Sequence, residues 1–133
     1  KQRVGIARAL ALKPELLLMD EPFSSLDELT AKTLRNLILE IWRDPDLPTN
    51  TFIMVSHNVE EAVYMADRVI VMSPRPGRII DEVKVDLPRP RAQYLRDIKY
   101  FKCVDEVMAI LEKGGSAKSD MGVSGSKARG KGL

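Results

Sequence analysis

Apolar residues along the chain occur both as short unbroken runs and as longer stretches with helical spacing. The runs at 16–19 and 51–55 are bounded by polar or helix-breaking residues, which is typical of strands buried on both faces of a parallel sheet. A third run predicts a strand over 68–72. Residues 78–87 alternate between apolar and polar positions, which predicts a strand with one wet face.

Apolar residues spaced three or four apart predict four helices, over 2–12, 26–43, 59–65 and about 95–111. Ser25 and Glu28 are placed to form a capping box for the second helix, and Asn58 and Glu61 are placed to cap the third. The buried stripe of the second helix is predicted to contain Leu34, Leu37, Ile38, Ile41 and Trp42.

The order of these elements predicts an α/β fold, because strands joined through a helix pair in parallel by right-handed crossovers. The Pro-Arg-Pro-Gly sequence at 74–77 predicts a tight turn. We therefore expect parallel strands with crossover helices, followed by a short C-terminal β-hairpin and a helix. Ligands of such sheets gather at the carboxyl ends of the strands, so polar residues at those ends are the first candidates for a site.

Composition narrows the class of protein only a little. The chain is 44% hydrophobic and 30% charged, an ordinary globular mixture, and its net charge of +2 is too small to indicate nucleic acid or a membrane surface. Its basic excess falls in the Gly-, Ser- and Lys-rich residues after 113, and we expect 113–133 to be a disordered basic tail. No apolar run approaches a bilayer span of about 18–20 residues.

Polar residues of the kinds used in phosphoryl transfer lie at the predicted strand ends. Asp20 and Glu21 follow the first apolar run, and His57 follows the second. An acid on a rigid strand end can hold hydrated Mg²⁺, and the next can reach a water that attacks a phosphate. Taken singly, the acids could be ordinary loop residues, His57 could be structural, and Ser24 and Asp27 could simply cap a helix.

Four segments together resemble the ATP-hydrolysing subunits of ABC transporters, over roughly residues 1–112. A segment similar to the Walker B motif with its catalytic glutamate lies at 16–22 (Leu-Leu-Leu-Met-Asp-Glu-Pro), and one similar to the D-loop lies at 24–27 (Ser-Ser-Leu-Asp). The histidine switch is resembled at 55–57 (Val-Ser-His), and the helix after the signature sequence at 1–10. The resemblance implies the C-terminal part of a P-loop NTPase-like nucleotide-binding domain.

The resemblance also implies the roles of the matched residues, with ATP and Mg²⁺ as cofactors. Asp20 would assist Mg²⁺ coordination, Glu21 would polarise the attacking water as general base, and His57 would contact the γ-phosphate. Four further residues would act in a head-to-tail dimer with a second ATPase subunit: Ser24 and Asp27 by linking the two ATP sites, and Gln2 and Arg3 by lying near the partner's nucleotide.

Three parts of the family pattern do not occur in the sequence: the Gly-rich phosphate-binding loop, the glutamine loop and the Leu-Ser-Gly-Gly core of the signature. We expect a natural N-terminal part to precede Lys1. The loop normally supplies most contacts to the triphosphate, so this chain alone is expected to bind ATP weakly or not at all and not to hydrolyse it.

The segments at 72–79 and 86–91 resemble an importer subgroup for nitrate, sulfonate, taurine and similar small solutes. The implied function is the ATPase subunit of such an importer, peripheral at the cytoplasmic face of the cell membrane. Its partners would be a membrane-spanning permease and, indirectly, an external solute-binding protein, without nucleic acid. A soluble ABC ATPase and a non-catalytic truncated interaction module stay open as alternatives. Solvated loop charges are expected at Arg75, Arg78, Arg89 and Arg91.

Overall fold

The structure is a computed structural model that describes residues 2–120, with side chains described over 3–116. Its helices are α1 (Gln2–Ala11), α2 (Glu28–Arg43), α3 (Val59–Met65) and α4 (Ile98–Asp120). Its strands are β1 (Leu16–Asp20), β2 (Thr51–Val55), β3 (Arg68–Met72) and β4 (Ile79–Lys84). The chain divides between Met65 and Ala66 into two compact units.

The first unit contains the predicted parallel pair. β1 and β2 run parallel, in a register that extends from Leu16 opposite Thr51 to Asp20 opposite Val55. The chain passes from one strand to the other through α2, as the alternation of strands and helices predicted. The parallel pairing therefore brings the carboxyl ends of both strands to one edge.

One face of this pair is packed and the other is open. Leu17 and Met19 of β1 are buried in one cluster with Ala31, Leu34 and Ile38 of α2. The prediction that both strands are buried on both faces is wrong for the described residues, because alternate side chains point to opposite faces and the second face is uncovered there. Its exposed apolar side chains are Leu16, Leu18, Ile53 and Val55.

The buried stripe of α2 also differs from the prediction. Leu34 and Ile38 are almost fully buried, as expected, and Ala31 joins them. Leu37 is wrong as a core residue because it is 44% exposed. The predicted stripe is wider than the face that the helix buries against β1.

The N-caps of α2 and α3 are side chains of the residue just before each helix. Asp27 is the N-cap of α2, and its carboxylate accepts a hydrogen bond from the Thr30 amide at 3.0 Å. The predicted Ser25–Glu28 capping box is therefore wrong, since the helix begins two positions too late for Ser25 to serve as its cap. Asn58 caps α3 as predicted, because its Oδ1 accepts the Glu61 amide at 3.1 Å.

The second unit contains the predicted hairpin and the last helix. β3 pairs with β4 in antiparallel fashion, from Arg68 opposite Lys84 to Met72 opposite Ile79. α4 packs on both strands. β4 ends at Lys84, before the predicted end of the alternating stretch, and a 3₁₀ turn at Arg91–Tyr94 precedes α4.

The expectation of solvated loop arginines is correct for two of the four residues. Arg75 and Arg78 are exposed. Arg91 is buried and donates to the main-chain carbonyls of Ala66, Val85 and Leu87. The nearby Arg89 is largely covered and pairs with Asp67 at 2.8 Å. These two arginines fix the connector to the hairpin instead of facing solvent.

α4 continues to Asp120, beyond its predicted end near Leu111. Residues 113–120 of the predicted disordered tail are therefore helical, and 121–133 lie outside the described residues. Packing of α4 against the hairpin outweighs the low helix propensity of Gly114 and Gly115. Each helix in the described part of the chain is too short or too polar to span a bilayer.

The two glycines of α4 provide a matched pair of variants. A Cβ on Gly115 meets no atom within 4 Å, whereas a Cβ on Gly114 collides with the Ile80 side chain. We expect Gly115→Ala to raise the free energy of unfolding by roughly 0.5–1 kcal/mol through helix propensity. The free energy of unfolding of Gly114→Ala should be about 1 kcal/mol lower than that of Gly115→Ala, because the Ile80 side chain must leave its rotamer. Chemical denaturation of both variants tests this, and equal stabilisation by the two would contradict it.

Candidate active site

The carboxyl ends of β1 and β2 bring Glu21 and His57 into contact. Glu21 Oε1 lies 2.9 Å from His57 Nδ1. The Glu21 amide donates to the Val55 carbonyl at 2.8 Å, which prolongs the strand pairing by one residue. These two predicted site residues thus stand together at one sheet edge, while their roles stay predictions.

Glu21 adopts a backbone conformation that is uncommon for its residue type. Its φ of 46° lies in the left-handed region, which side chains with a Cβ rarely enter. Strain of this kind persists only where the surrounding structure requires it, and it concentrates at functional sites. The turn takes the chain out of the strand directly after Asp20.

A cavity of about 180 Å³ lies beside the Glu21–His57 pair. Ser24 lies in its wall, and the Ser24 hydroxyl donates to the Glu21 carbonyl at 3.1 Å. The cavity is polar, with a lining that includes Glu21, Ser24, Glu28, Arg35, Ser56, His57, Asn58 and Glu61. It therefore offers both anionic groups and hydrogen-bond donors next to the pair.

Asp20 lies apart from this cavity. It is the last residue of β1, not the residue after it as predicted, and it is exposed. Asp20 instead lines a shallow cavity of about 170 Å³ together with Gly5 and Ile6 of α1. The structure therefore separates the two neighbouring acids, one into each cavity.

The carboxylates described above can supply one protein ligand to a Mg²⁺ ion. Within residues 2–120, no group of three or more His, Cys, Asp or Glu residues could hold a metal ion. Mg²⁺ commonly takes only one or two carboxylates and completes its shell with water and phosphate oxygens. A single exposed carboxylate such as Asp20 fits that kind of coordination.

The remaining predicted site residues are not gathered at the pair. Asp27 is exposed and engaged as the cap of α2, and its hydrogen bond with Thr30 lowers the pKa of its carboxyl. Arg3 is exposed in the first turn of α1 and lines neither cavity. Gln2 belongs to the same turn, and its side chain lies outside the described part of the chain.

Glu21 favours the protonated form of His57. The hydrogen bond that Glu21 accepts from the ring raises the pKa of His57 most, followed by the negative charges of Glu21 and Glu61. A raised pKa in the folded state means that this pair stabilises the fold fully below the unfolded pKa of His57. The contribution is lost as the pH rises through the folded pKa.

This coupling predicts a measurable titration. We expect the His57 ring to titrate above its ordinary value of 6.5, and Glu21→Gln to move the pKa back down by removing the charge that holds the proton. Glu15→Gln, an exposed acid at the other end of β1, is the control and should leave it unchanged. NMR titration of the ring resonances measures the shift, and a His57 pKa at or below 6.5 in the unmodified chain would contradict it.

Three further residues next to the pair were not predicted as site residues: Arg35, Ser56 and Glu61. Glu61 was predicted only as a cap, but it is buried, and its carboxylate accepts hydrogen bonds from Arg35 at 3.2 Å and from the Ser56 hydroxyl at 2.7 Å. Arg35 and Glu61 are 26 residues apart, so no local pattern pairs them.

Comparison with known proteins adds relatives but no family model, since no model matches the chain. An uncharacterised ABC transporter ATP-binding protein of Methanocaldococcus jannaschii is 46% identical over 84% of this chain and 40% of its own length. The aliphatic sulfonates import ATP-binding protein of Bacillus licheniformis is 47% identical over 69% of the chain and 35% of its own length. The taurine import ATP-binding protein of Rhizobium johnstonii is 42% identical over 84% and 44%. The chain thus spans about two fifths of the curated relatives it matches.

Proposed function

Homologues that are 42–49% identical over most of this chain are ABC transporter ATP-binding proteins, and we propose that the chain is the C-terminal part of such a nucleotide-binding domain. The whole protein would hydrolyse ATP to energise the import of a small solute. The observation that carries this proposal is the 2.9 Å contact between Glu21 and His57 at the ends of two parallel strands.

The geometry suits hydrolysis of a phosphate. In the proposed mechanism Glu21 accepts a proton from, or orients, the attacking water, since its carboxylate is partly open to solvent. His57 uses Nδ1 to contact Glu21, which leaves Nε2 to donate a hydrogen bond to a phosphate oxygen. The neighbouring negative charge raises the pKa of His57 and so favours the doubly protonated ring, in which both nitrogens donate.

The proposed cofactors are ATP and Mg²⁺. Asp20 would hold Mg²⁺ through a water, and the ion, when bound, would neutralise charge on the phosphates. The sequence contains no Gly-rich loop with its lysine, so these 133 residues lack the usual cradle of amides for a triphosphate. We therefore propose that the chain by itself binds ATP weakly and is inactive.

The proposed solute and partners rest on the relatives. Those relatives include aliphatic sulfonate and taurine import proteins and a nitrate transport protein, so a small solute such as nitrate, a sulfonate or taurine is the proposed cargo. The protein would pair head to tail with a second ATPase subunit, through Ser24 and Asp27 and through Gln2 and Arg3 near the partner's nucleotide. It would dock on a permease at the cytoplasmic face of the membrane, with a solute-binding protein outside.

An ATPase assay on two samples tests the proposal. The intact gene product that contains this chain should hydrolyse Mg·ATP, and the 133-residue chain should not. Turnover by the short chain would refute its proposed inactivity, and no turnover by the intact product with its permease would leave a non-catalytic interaction module.

Co-purification of the intact gene product with a polytopic membrane protein is expected. Its absence, with ATPase activity retained, would indicate a soluble ABC ATPase instead.

A further inference from the structure

The Glu21–His57 pair shares its cavity with a largely buried ion pair between Arg35 and Glu61. His57 is 77% exposed at its side chain, whereas Arg35 and Glu61 are 13% and 8% exposed. Long exposed side chains lose considerable rotamer entropy when they are held in one geometry. The alignment of Glu21 with His57 therefore depends on how firmly their two turns are fixed from behind.

Glu61 is hydrogen-bonded to the residues on both sides of His57, through its carboxylate on one side and its main-chain amide on the other. The Ser56 hydroxyl donates to Glu61 Oε2 at 2.7 Å and accepts the Asn58 amide at 3.1 Å. Asn58 Oδ1 in turn accepts the Glu61 amide at 3.1 Å. His57 is thus flanked on each side by a residue that is hydrogen-bonded to Glu61.

Arg35 reaches the turn that carries Glu21. Its guanidinium lies 5.8 Å from the centre of the Phe23 ring, two residues after Glu21, a distance at which a cation is attracted to the ring face. The same guanidinium donates to Glu61 at 3.2 Å and to Glu28 at 2.6 Å. One side chain of α2 therefore connects both turns of the site.

We propose that Arg35 and Glu61 are positioning residues, which hold the turns of Glu21 and His57 in register for the hydrolysis proposed above. The inference rests on that proposed function for its kinetic consequence, and on geometry alone for its structural one. Neither residue touches the reacting atoms in this scheme. Both act through the main chain of the turns that they connect.

Kinetics of the intact gene product test the first consequence. Glu61→Ala and Arg35→Met should each lower kcat by roughly 10- to 100-fold with KM changed less than about 3-fold, since small misplacements of reacting groups cost about that much. The double variant should be no worse than the poorer single variant within about 3-fold, because the two act as a unit. Glu61→Gln, which can still accept from Ser56, should recover most of the loss.

A core variant separates positioning from simple loss of stability. Ile38→Ala removes packing from the same helix at a position that is 2% exposed and lies outside the cavity. At a temperature where it is as folded as Glu61→Ala, it should retain near-normal kcat. If Ile38→Ala loses as much kcat as Glu61→Ala, the proposal is overturned.

The histidine ring gives a readout that does not need turnover. Nitrogen-15 shifts of the His57 ring at alkaline pH, assigned by their loss in His57→Gln, should report the tautomer with the proton on Nδ1, as contact with Glu21 requires. In Glu61→Ala the shifts should move toward the other tautomer, and in Ile38→Ala they should not. Unchanged shifts in Glu61→Ala would overturn the positioning role even if ATP hydrolysis is observed. If the unmodified protein hydrolyses no ATP, the proposed function fails, but the ring shifts still decide the positioning role.

Discussion

Replacing Glu21 by Gln in the intact gene product should reduce kcat for ATP hydrolysis by roughly 100- to 10,000-fold, the usual contribution of a general base. Glutamine keeps the size of the side chain and can still lie against His57, but it cannot accept a proton. KM for ATP should change little, because Glu21 is proposed to act on the water and not on the nucleotide. Steady-state hydrolysis assays at saturating Mg·ATP measure the effect.

The same substitution at Glu15 is the control for this experiment. Glu15 is an exposed acid at the other end of β1, far along the strand from the site, and Glu15→Gln should leave kcat within about 2-fold. Retention of more than a tenth of normal kcat by Glu21→Gln would show that another group activates the water.

Replacing Arg91 by Met should weaken the second unit by roughly 3 kcal/mol. The guanidinium is 2% exposed at its side chain and donates to three main-chain carbonyls, those of Ala66, Val85 and Leu87. Burial, with the nearby charge of Arg89, lowers the pKa of Arg91 to about 10, so it stays charged at neutral pH. Methionine fills much of the space but leaves the three acceptors without this donor.

Amide hydrogen exchange measures this loss where it occurs. Exchange of the most protected amides of β3 and β4 should be faster by roughly 100-fold in Arg91→Met, since each 1.4 kcal/mol is about tenfold. Arg91→Lys should restore little, because one ammonium cannot reproduce a planar set of donors. Arg78→Ala, at an exposed arginine of the same unit, should leave exchange unchanged, and equal effects at Arg78 and Arg91 would contradict the account.

The elements of the fold were largely predictable from short-range pattern. The parallel pair β1–β2 follows from two apolar runs joined through an amphipathic helix. The hairpin follows from a proline-glycine turn between a third apolar run and an alternating stretch. The rule that ligands gather at strand ends also placed Glu21 and His57 at one edge before any distance was known. Each of these inferences combines a pattern within one short segment with a general rule about how strands and helices pack.

The features that the sequence did not reveal depend on individual side-chain contacts between elements, for which no general packing rule exists. The burial of Arg91 requires carbonyls as far away as Ala66, and the burial of Glu61 requires Arg35. Both residues look like ordinary surface charges in the sequence. The left-handed φ of Glu21 and the separation of Asp20 and Glu21 into two cavities have no signature in a pair of adjacent acids either.

Local competition and tertiary packing explain the other errors. Several residues before α2 could cap it, and pattern alone does not choose Asp27 over Ser25. α4 continues through two glycines because it packs against the hairpin. Helix propensity alone does not include the stabilisation that comes from such tertiary packing.

The most direct test of the proposed site is a structure of the intact gene product with Glu21→Gln, trapped with Mg·ATP. We expect the γ-phosphate within hydrogen-bonding distance of the free ring nitrogen of His57, with a water between it and residue 21 and the metal on the side of Asp20. A nucleotide bound elsewhere, or a His57 ring turned away from both residue 21 and the phosphate, would contradict the claim that these two strand ends enclose a reacting phosphate.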